Sequence, residues 1–249
     1  MRSFAVLFVS VALLAACGGG TANPPGVATP TGPVTKYMNT LPGLNAGATV
    51  DLIQNVIDFA PGAASVVHIH TTPNLATVLQ GQITVKTPAG DKQATVGQML
   101  AEPVNQPLQA VNTGSSETMV VVAFVVPHGG KATAPVAGKP APATPNKTLY
   151  AFTLSSPSVS GAYSLVQQVL EFAPGSQTSK YRLGGPGVFT VLQGYVILNS
   201  DGVERTFGMG ESFAEVPGQT LQAFSQASSQ AVVAATFLVP DGAKLTTNL

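Results

Sequence analysis

Two histidines, His68 and His70, stand two residues apart in the stretch 59–81, FAPGAASVVHIHTTPNLATVLQG. On an extended strand alternate side chains share a face, so both imidazoles point the same way. That spacing suits a pair of metal ligands. Two ligands are fewer than a metal usually takes. Structural zinc takes four, catalytic zinc three and a water, and a non-haem iron triad adds a carboxylate to two imidazoles. The same frame returns at 172–194, FAPGSQTSKYRLGGPGVFTVLQG, with Tyr181 and Leu183 in the histidine positions. One copy carries metal-type donors and the other does not.

The elements that must position these residues read as strands. Residues 50–59 and 163–172 are mostly apolar and end at Ala-Pro-Gly, a turn signal. Residues 75–79 and 188–192 follow, each stopped by Gln-Gly, and then 82–87 and 195–200. Asp201-Gly202 is a hairpin turn, and 88–91 is its looser counterpart. Residues 119–126 and 231–239 are unbroken apolar runs, which suit strands buried on both faces. No long window has a helical period. Short strands with turns at close spacing predict an all-β chain, with a sandwich or barrel in each half.

The halves form one internal repeat. Gly81 recurs at Gly194, Tyr37 at Tyr150, Gly97 at Gly210 and Pro127 at Pro240, always 113 residues on. The register holds from Tyr37 to Gly242. A period this long marks a duplicated domain rather than a solenoid unit of roughly 20–50 residues. Between the halves, residues 129–147 are rich in Pro and Ala and read as a linker.

Composition narrows the function. Charged residues are 9% of the chain, with 11 acids against 11 bases, so no basic face is available for nucleic acid. Apolar residues reach 45%, enough for two cores, and 26 Gly with 20 Pro fit a turn-rich β protein. No P-loop and no G-x-S-x-G elbow occurs.

Residues 1–16 have the form of an export signal: Arg2, then an apolar run too short to span a bilayer comfortably. The run ends in Leu14-Ala15-Ala16-Cys17, which resembles the bacterial lipobox, and Cys17 is the one cysteine. The resemblance implies cleavage before Cys17 and lipid attachment to its sulfur, a durable membrane anchor. Gly18, in place of Asp, implies outer-membrane sorting in a Gram-negative cell. Residues 17–34, Gly-, Pro- and Thr-rich, read as a flexible tether.

The two halves resemble the cupin superfamily, in a bicupin arrangement. The family's first motif is G-x5-H-x-H-x3–4-E-x6-G. Gly62, His68, His70 and Gly81 match it, with Asn74 at the Glu position. The second is G-x5-P-x-G-x2-H-x3-N. Gly97, Pro103 and Asn112 match, with Asn105 for Gly and Leu108 for His. In the second half Gly175, Gly194, Gly210, Pro217 and Gly218 keep the turn frame, while the ligand positions hold Tyr181, Leu183, Gly187 and Leu221. The resemblance implies a jelly-roll barrel at 35–128 and another at 148–242, with 243–249 as a C-terminal tail.

The family would place a metal in each pocket: iron, manganese, zinc, nickel or copper. Here the cofactor expectation is either none or one such ion in the first barrel, on His68 and His70 with Asn74 or Glu102 completing the set. His128 falls at the barrel rim. Leu108, Tyr181, Leu183 and Leu221 are expected to line the pockets, with Tyr195 beside Tyr181. Glu102 and Glu215, at matching positions, read as carboxylates at a barrel mouth bonded to loop N–H groups. Gln109 and Gln222 also recur. The expected function is a lipid-anchored, non-catalytic module that binds a small molecule or a protein. The rivals are a metal-dependent oxygenase or isomerase using His68 and His70, and a structural envelope lipoprotein. Its partners would be the membrane, a small ligand and a second copy packed sheet to sheet.

Overall fold

The structure, a computed structural model, describes residues 31–46, 49–226 and 228–249. The export signal, Cys17 and residues 17–30 of the tether lie outside the described residues. Every regular element among the described residues is a strand. The first ten are β1 (Val34–Ala46), β2 (Val50–Phe59), β3 (His68–His70), β4 (Asn74–Gln80), β5 (Gln82–Lys86), β6 (Lys92–Thr95), β7 (Met99–Leu100), β8 (Gln109–Val111), β9 (Thr118–Pro127) and β10 (Thr133–Pro135). Their counterparts are β11 (Lys147–Ser155), β12 (Gly161–Phe172), β13 (Tyr181–Leu183), β14 (Gly187–Gln193), β15 (Tyr195–Ser200), β16 (Val203–Gly208), β17 (Ser212–Glu215), β18 (Leu221–Phe224), β19 (Ala231–Pro240) and β20 (Thr246–Asn248).

Each half is a two-sheet barrel. In the first, the sheet β11-β2-β9-β4-β7 faces β6-β5-β8, which continues into β3 and β10 through a bridge from Leu108 to His68. In the second, β1-β12-β19-β14-β17 faces β16-β15-β18-β13-β20. The orders match element for element except at one edge, where the halves trade strands. β1 pairs along β12, from Val34 opposite Glu171 to Asn45 opposite Ala162. β11 pairs along β2, from Lys147 opposite Asp58 to Ser155 opposite Asp51.

This exchange corrects the sequence-based limits. Residues 34–46 complete the second barrel's sheet, and 147–155 complete the first. The stretch 129–147 is not a plain linker, since β10 pairs with β3, Thr133 opposite His70 and Pro135 opposite His68. The tail 243–249 likewise contains β20, paired with β13. Composition hid both strands because each is three residues long. β10 is also an edge strand, where proline is tolerated.

β9 and β19 have no wet face. Val120, Val122, Phe124 and Val126 point into the first barrel's core. Between them, Ala123 and Val125 pack across the join on Leu165, Val188 and Leu238 of the other half, and Val121 packs with Ala234. Buried amides cross the same join. Gln54 donates to Thr190 Oγ1 at 2.8 Å and accepts from Thr236 Oγ1 at 2.5 Å.

The traded strands also bring a ring to the turn glycine of their own half. A Cβ on Gly97 would stand 2.6 Å from the Tyr37 ring, and one on Gly210 2.8 Å from Tyr150. Both glycines have positive φ, 82° and 87°. Asn105, at the family's glycine position, keeps the turn at φ 58°, a conformation asparagine tolerates.

A fragment limited to residues 35–128 lacks β10 and β11 and uncovers Val121, Ala123 and Val125. It should be unfolded or aggregated by circular dichroism and size exclusion, whereas residues 31–249 should be folded. A folded, monomeric 35–128 fragment would contradict the exchange.

Candidate functional site

β3 carries the histidines and is held on both sides. His68 N–H donates to Leu108 O at 3.0 Å, Leu108 N–H returns a bond to His68 O at 2.9 Å, and Asn105 N–H donates to His70 O at 2.8 Å. His68 and His70 are buried, and Ile69 between them is turned the other way. The two rings meet edge to face, with centroids 4.7 Å apart.

The polar contacts form a chain. His68 Nδ1 lies 2.8 Å from Val66 O, so that nitrogen carries the hydrogen and donates. His68 Nε2 is left with its lone pair, 3.2 Å from His70 Nε2. His70 Nε2 stands 2.9 Å from Glu102 Oε2 and donates to it. Asn74 holds Glu102 from the far side. Its amide NH₂ donates to the same carboxylate oxygen, and its Oδ1 accepts from the Glu102 N–H at 3.0 Å. Burial pushes the Glu102 carboxyl up, but the His70 bond and charge together with the Asn74 bond outweigh it and hold the group below its ordinary value. Burial holds the His68 imidazole down, toward its neutral form.

Beside this chain lies a cavity of about 280 Å³. Its wall includes the polar His68, His70 and Glu102 together with the apolar Phe59, Ile83 and Val122.

The donor set can be tested against a cupin metal. A ligand imidazole must offer a bare nitrogen; His68 Nε2 does, while His70 Nε2 is engaged with Glu102 and would have to give up that hydrogen. The Glu102 oxygen is in turn held by His70 and Asn74. Leu108, at the family's remaining His position, is 1% exposed within the apolar core and off the cavity wall. Among the described residues no group of three or more His, Cys, Asp or Glu side chains is arranged to hold a metal. Two imidazoles and a carboxylate meet here, so a metal is possible, but no clear metal site is present among the described residues. Asn74 clamps the carboxylate through both ends of its amide. His128 is at the rim, 2.9 Å from Asp51 and apart from the other two histidines.

The second barrel repeats the geometry with different chemistry. Glu215 is 1% exposed, and the Tyr181 hydroxyl reaches both its oxygens at 3.0 Å. Burial pushes the Glu215 carboxyl up to about 8, against a small opposing effect from Tyr181. Burial, then the Glu215 charge and hydrogen bond, raises the Tyr181 phenol. A cavity of about 230 Å³ opens beside the pair. Gly187, at the family's Glu position, has no side chain, and a Cβ there would come within 2.6 Å of the Phe237 ring. Aromatic packing fills the space a ligand residue would need.

Three sequence expectations are corrected here. Leu108 and Leu221 lie in the cores rather than on cavity walls, whereas Tyr181 and Leu183 do line the second cavity. Tyr195 is not among the residues that line it. Glu102 and Glu215 bond side chains inside the barrels rather than loop N–H groups at the mouth. The signal for both pairs was present in the repeat. The offset that aligns the two glutamates also aligns His68 with Tyr181. Gln109 and Gln222 turn out to share a task, donating to Ser65 O at 2.9 Å and Thr178 O at 3.0 Å.

Paired barrels with this strand order define the class of protein, and the comparisons agree. The Cupin family model matches residues 22–157, and the chain belongs to that family. The matched span ends just past β11, the strand that closes the first barrel. No curated protein matches the sequence. Among solved structures, AerE from Microcystis aeruginosa is 13% identical with a TM-score of 0.55, over 84% of this chain and 98% of that one. A vicilin from Solanum melongena is 10% identical with a TM-score of 0.61, over 80% and 77%. A variant of Bacillus subtilis oxalate decarboxylase is 13% identical with a TM-score of 0.60, over 89% and 81%. That decarboxylase has Mn(II) centres, and the vicilin has anionic ligands in its pockets. At these identities the likeness establishes the fold, and the fold serves both enzymes and binding or storage proteins.

The twin glutamates should respond to pH with opposite signs. Glu102 has a lowered value, so its contribution is complete above the ordinary 4.5 and is lost as pH falls through the folded value. Glu102→Gln should cost about 2 kcal/mol at pH 7 and much less in acid. Glu215 stays protonated in the fold while the unfolded chain ionises between 4.5 and about 8, so the parent loses stability as pH rises across that window. Glu215→Gln should match the parent near pH 4 and exceed it at pH 8. Urea midpoints across this range read both effects, and a shared trend in the two variants would refute the assignment.

Proposed function

We propose that this protein is an exported, lipid-anchored binding module whose first barrel takes a small, mostly apolar molecule without a metal. The observation that carries the reading is the cavity of about 280 Å³ with one acceptor-rich corner in an apolar wall. His68 Nε2 and the Glu102 carboxylate both offer lone pairs there, so the suited ligand brings a hydroxyl donor on an apolar body. Such a site, apolar with few convergent polar groups, is the common form of a small-molecule pocket. The anchor rests on the sequence Leu14-Ala15-Ala16-Cys17 and the signal before it, with the barrels facing the periplasm from the outer membrane.

The His70–Glu102 hydrogen bond favours a second reading, an enzyme that moves a proton on its ligand. A carboxylate paired with an imidazole beside a bare His68 nitrogen is suited to general acid–base chemistry. That reading predicts slow exchange of a ligand C–H for deuterium, measurable by NMR.

Protein made without a histidine tag should carry well under one transition metal per chain, and chelator should leave its melting temperature unchanged. Small phenols and alcohols should raise that temperature, by an amount equivalent to about 2.7 kcal/mol at a hundred times Kd. Ala76→Leu, which fills the cavity wall, should abolish the rise. A stoichiometric metal, or stabilisation by the same compounds in Ala76→Leu, would overturn the reading. For the anchor, mass spectrometry should find acyl chains on Cys17, and Cys17→Ser should give a soluble, folded globule.

A further inference from the structure

The second cavity poses an electrostatic problem that the first one solves internally. In the first barrel Glu102 has the His70 imidazole 2.9 Å away. The matching position in the second barrel is Leu183, which offers nothing to a carboxylate. Among the described residues, the Tyr181 hydroxyl is the one hydrogen-bond partner of the Glu215 side chain, and no cationic group pairs with it. A carboxylate with one neutral donor has most of its acceptor capacity unused. Burying it ionised without a counter-charge is costly.

The surroundings are aromatic. Phe172, Phe189, Phe213 and Phe237 line the cavity with Tyr181 and Glu215. Phe189 stacks parallel on Phe213, with centroids 4.9 Å apart, and meets Phe237 edge to face at 5.3 Å. Ring faces attract cations. Among all the residues lining this cavity, from β1 round to β20, Glu215 and Tyr181 are the only titratable ones. Nothing in the wall would therefore repel a positive charge, and an anion would find only a carboxylate.

We propose that the second barrel binds a small organic ammonium ion, with its nitrogen on the Glu215 carboxylate and its apolar body against the phenylalanine rings. The ligand plays the part that His70 plays in the first barrel. At about 230 Å³ the cavity is below the roughly 300–1,000 Å³ of most ligand pockets, so the ligand is a monoamine with one ring or a short branched chain. Without it, Glu215 takes up a proton, which agrees with its raised value of about 8. Binding the ammonium ion must release that proton. Affinity therefore rises about tenfold for each pH unit below 8 and levels above it, while an amine of pKa ~10 stays charged.

Calorimetric titration of the full mature chain carrying Ala76→Leu, which closes the first cavity to alcohols, with 2-phenylethylamine, 2-phenylethanol and 3-phenylpropionate from pH 6 to pH 9 tests this. The amine should bind best, with the stated pH slope, and the anion should not bind. Glu215→Gln should weaken the amine at least tenfold at pH 9 and flatten the slope. Because Gln mimics the protonated acid, its melting temperature should equal the parent's at pH 4 and be no lower than the parent's at pH 6 and above, which separates lost binding from lost folding. Glu102→Gln should leave amine binding unchanged, which keeps this result distinct from the first barrel's. The proposal is overturned if the alcohol binds as tightly as the amine at pH 9, if Glu215→Gln binds the amine as well as the parent, or if no amine binding is detected.

Discussion

β9 and β19 must be dry on both faces, and that requirement governs the molecule. An apolar strand with a barrel on one side needs a second apolar surface on the other. Each half supplies that surface to its twin. Residues 121, 123 and 125 therefore depend on a second barrel as firmly as 120, 122 and 124 depend on their own. The traded edge strands follow from the same packing. Once the large sheets lie face to face, the first strand of each half can extend the neighbour's sheet and still reach back. Tyr37 and Tyr150 do reach back, covering Gly97 and Gly210 of the halves to which they belong in sequence.

Within this shared frame the two interiors solve one problem in two ways. Both keep a glutamate at the same position, buried where water cannot solvate it. The first neutralises it with an imidazole and fixes it with an amide. The second retains only a phenol, and its carboxyl holds a proton instead. The same backbone thus presents an acceptor-rich corner in one cavity and an uncompensated acid in the other. Ligand chemistry can diverge while the turns and strand order stay fixed.

Much of the fold was legible in the sequence. The constant offset of 113, the turn glycines and the unbroken apolar runs specify two β-barrels and which strands are doubly buried. The exchange was not legible, because pairing between residues 89 or more positions apart leaves no local periodicity. β10 and β20 were missed because three residues cannot establish an alternation. At the site, the spacing of His68 and His70 gave a common face. The task of Asn74 was hidden because residue type alone does not distinguish an amide that ligates from one that clamps a neighbouring side chain. Glu102 and Glu215 were visible as a matched pair, but the direction each side chain takes is a tertiary fact.

The reciprocal trade at the sheet edges bears on ancestry. A lone barrel of this design would lack its outermost strand and would have to borrow it from another molecule, lending its own in return. Two identical chains would satisfy each other in that way. Fusing them into one polypeptide makes the loan permanent, because each half then meets the other at high effective concentration whatever the protein's abundance. It also ends the rule that both must be identical, so that one interior could give up its imidazoles while the other kept them.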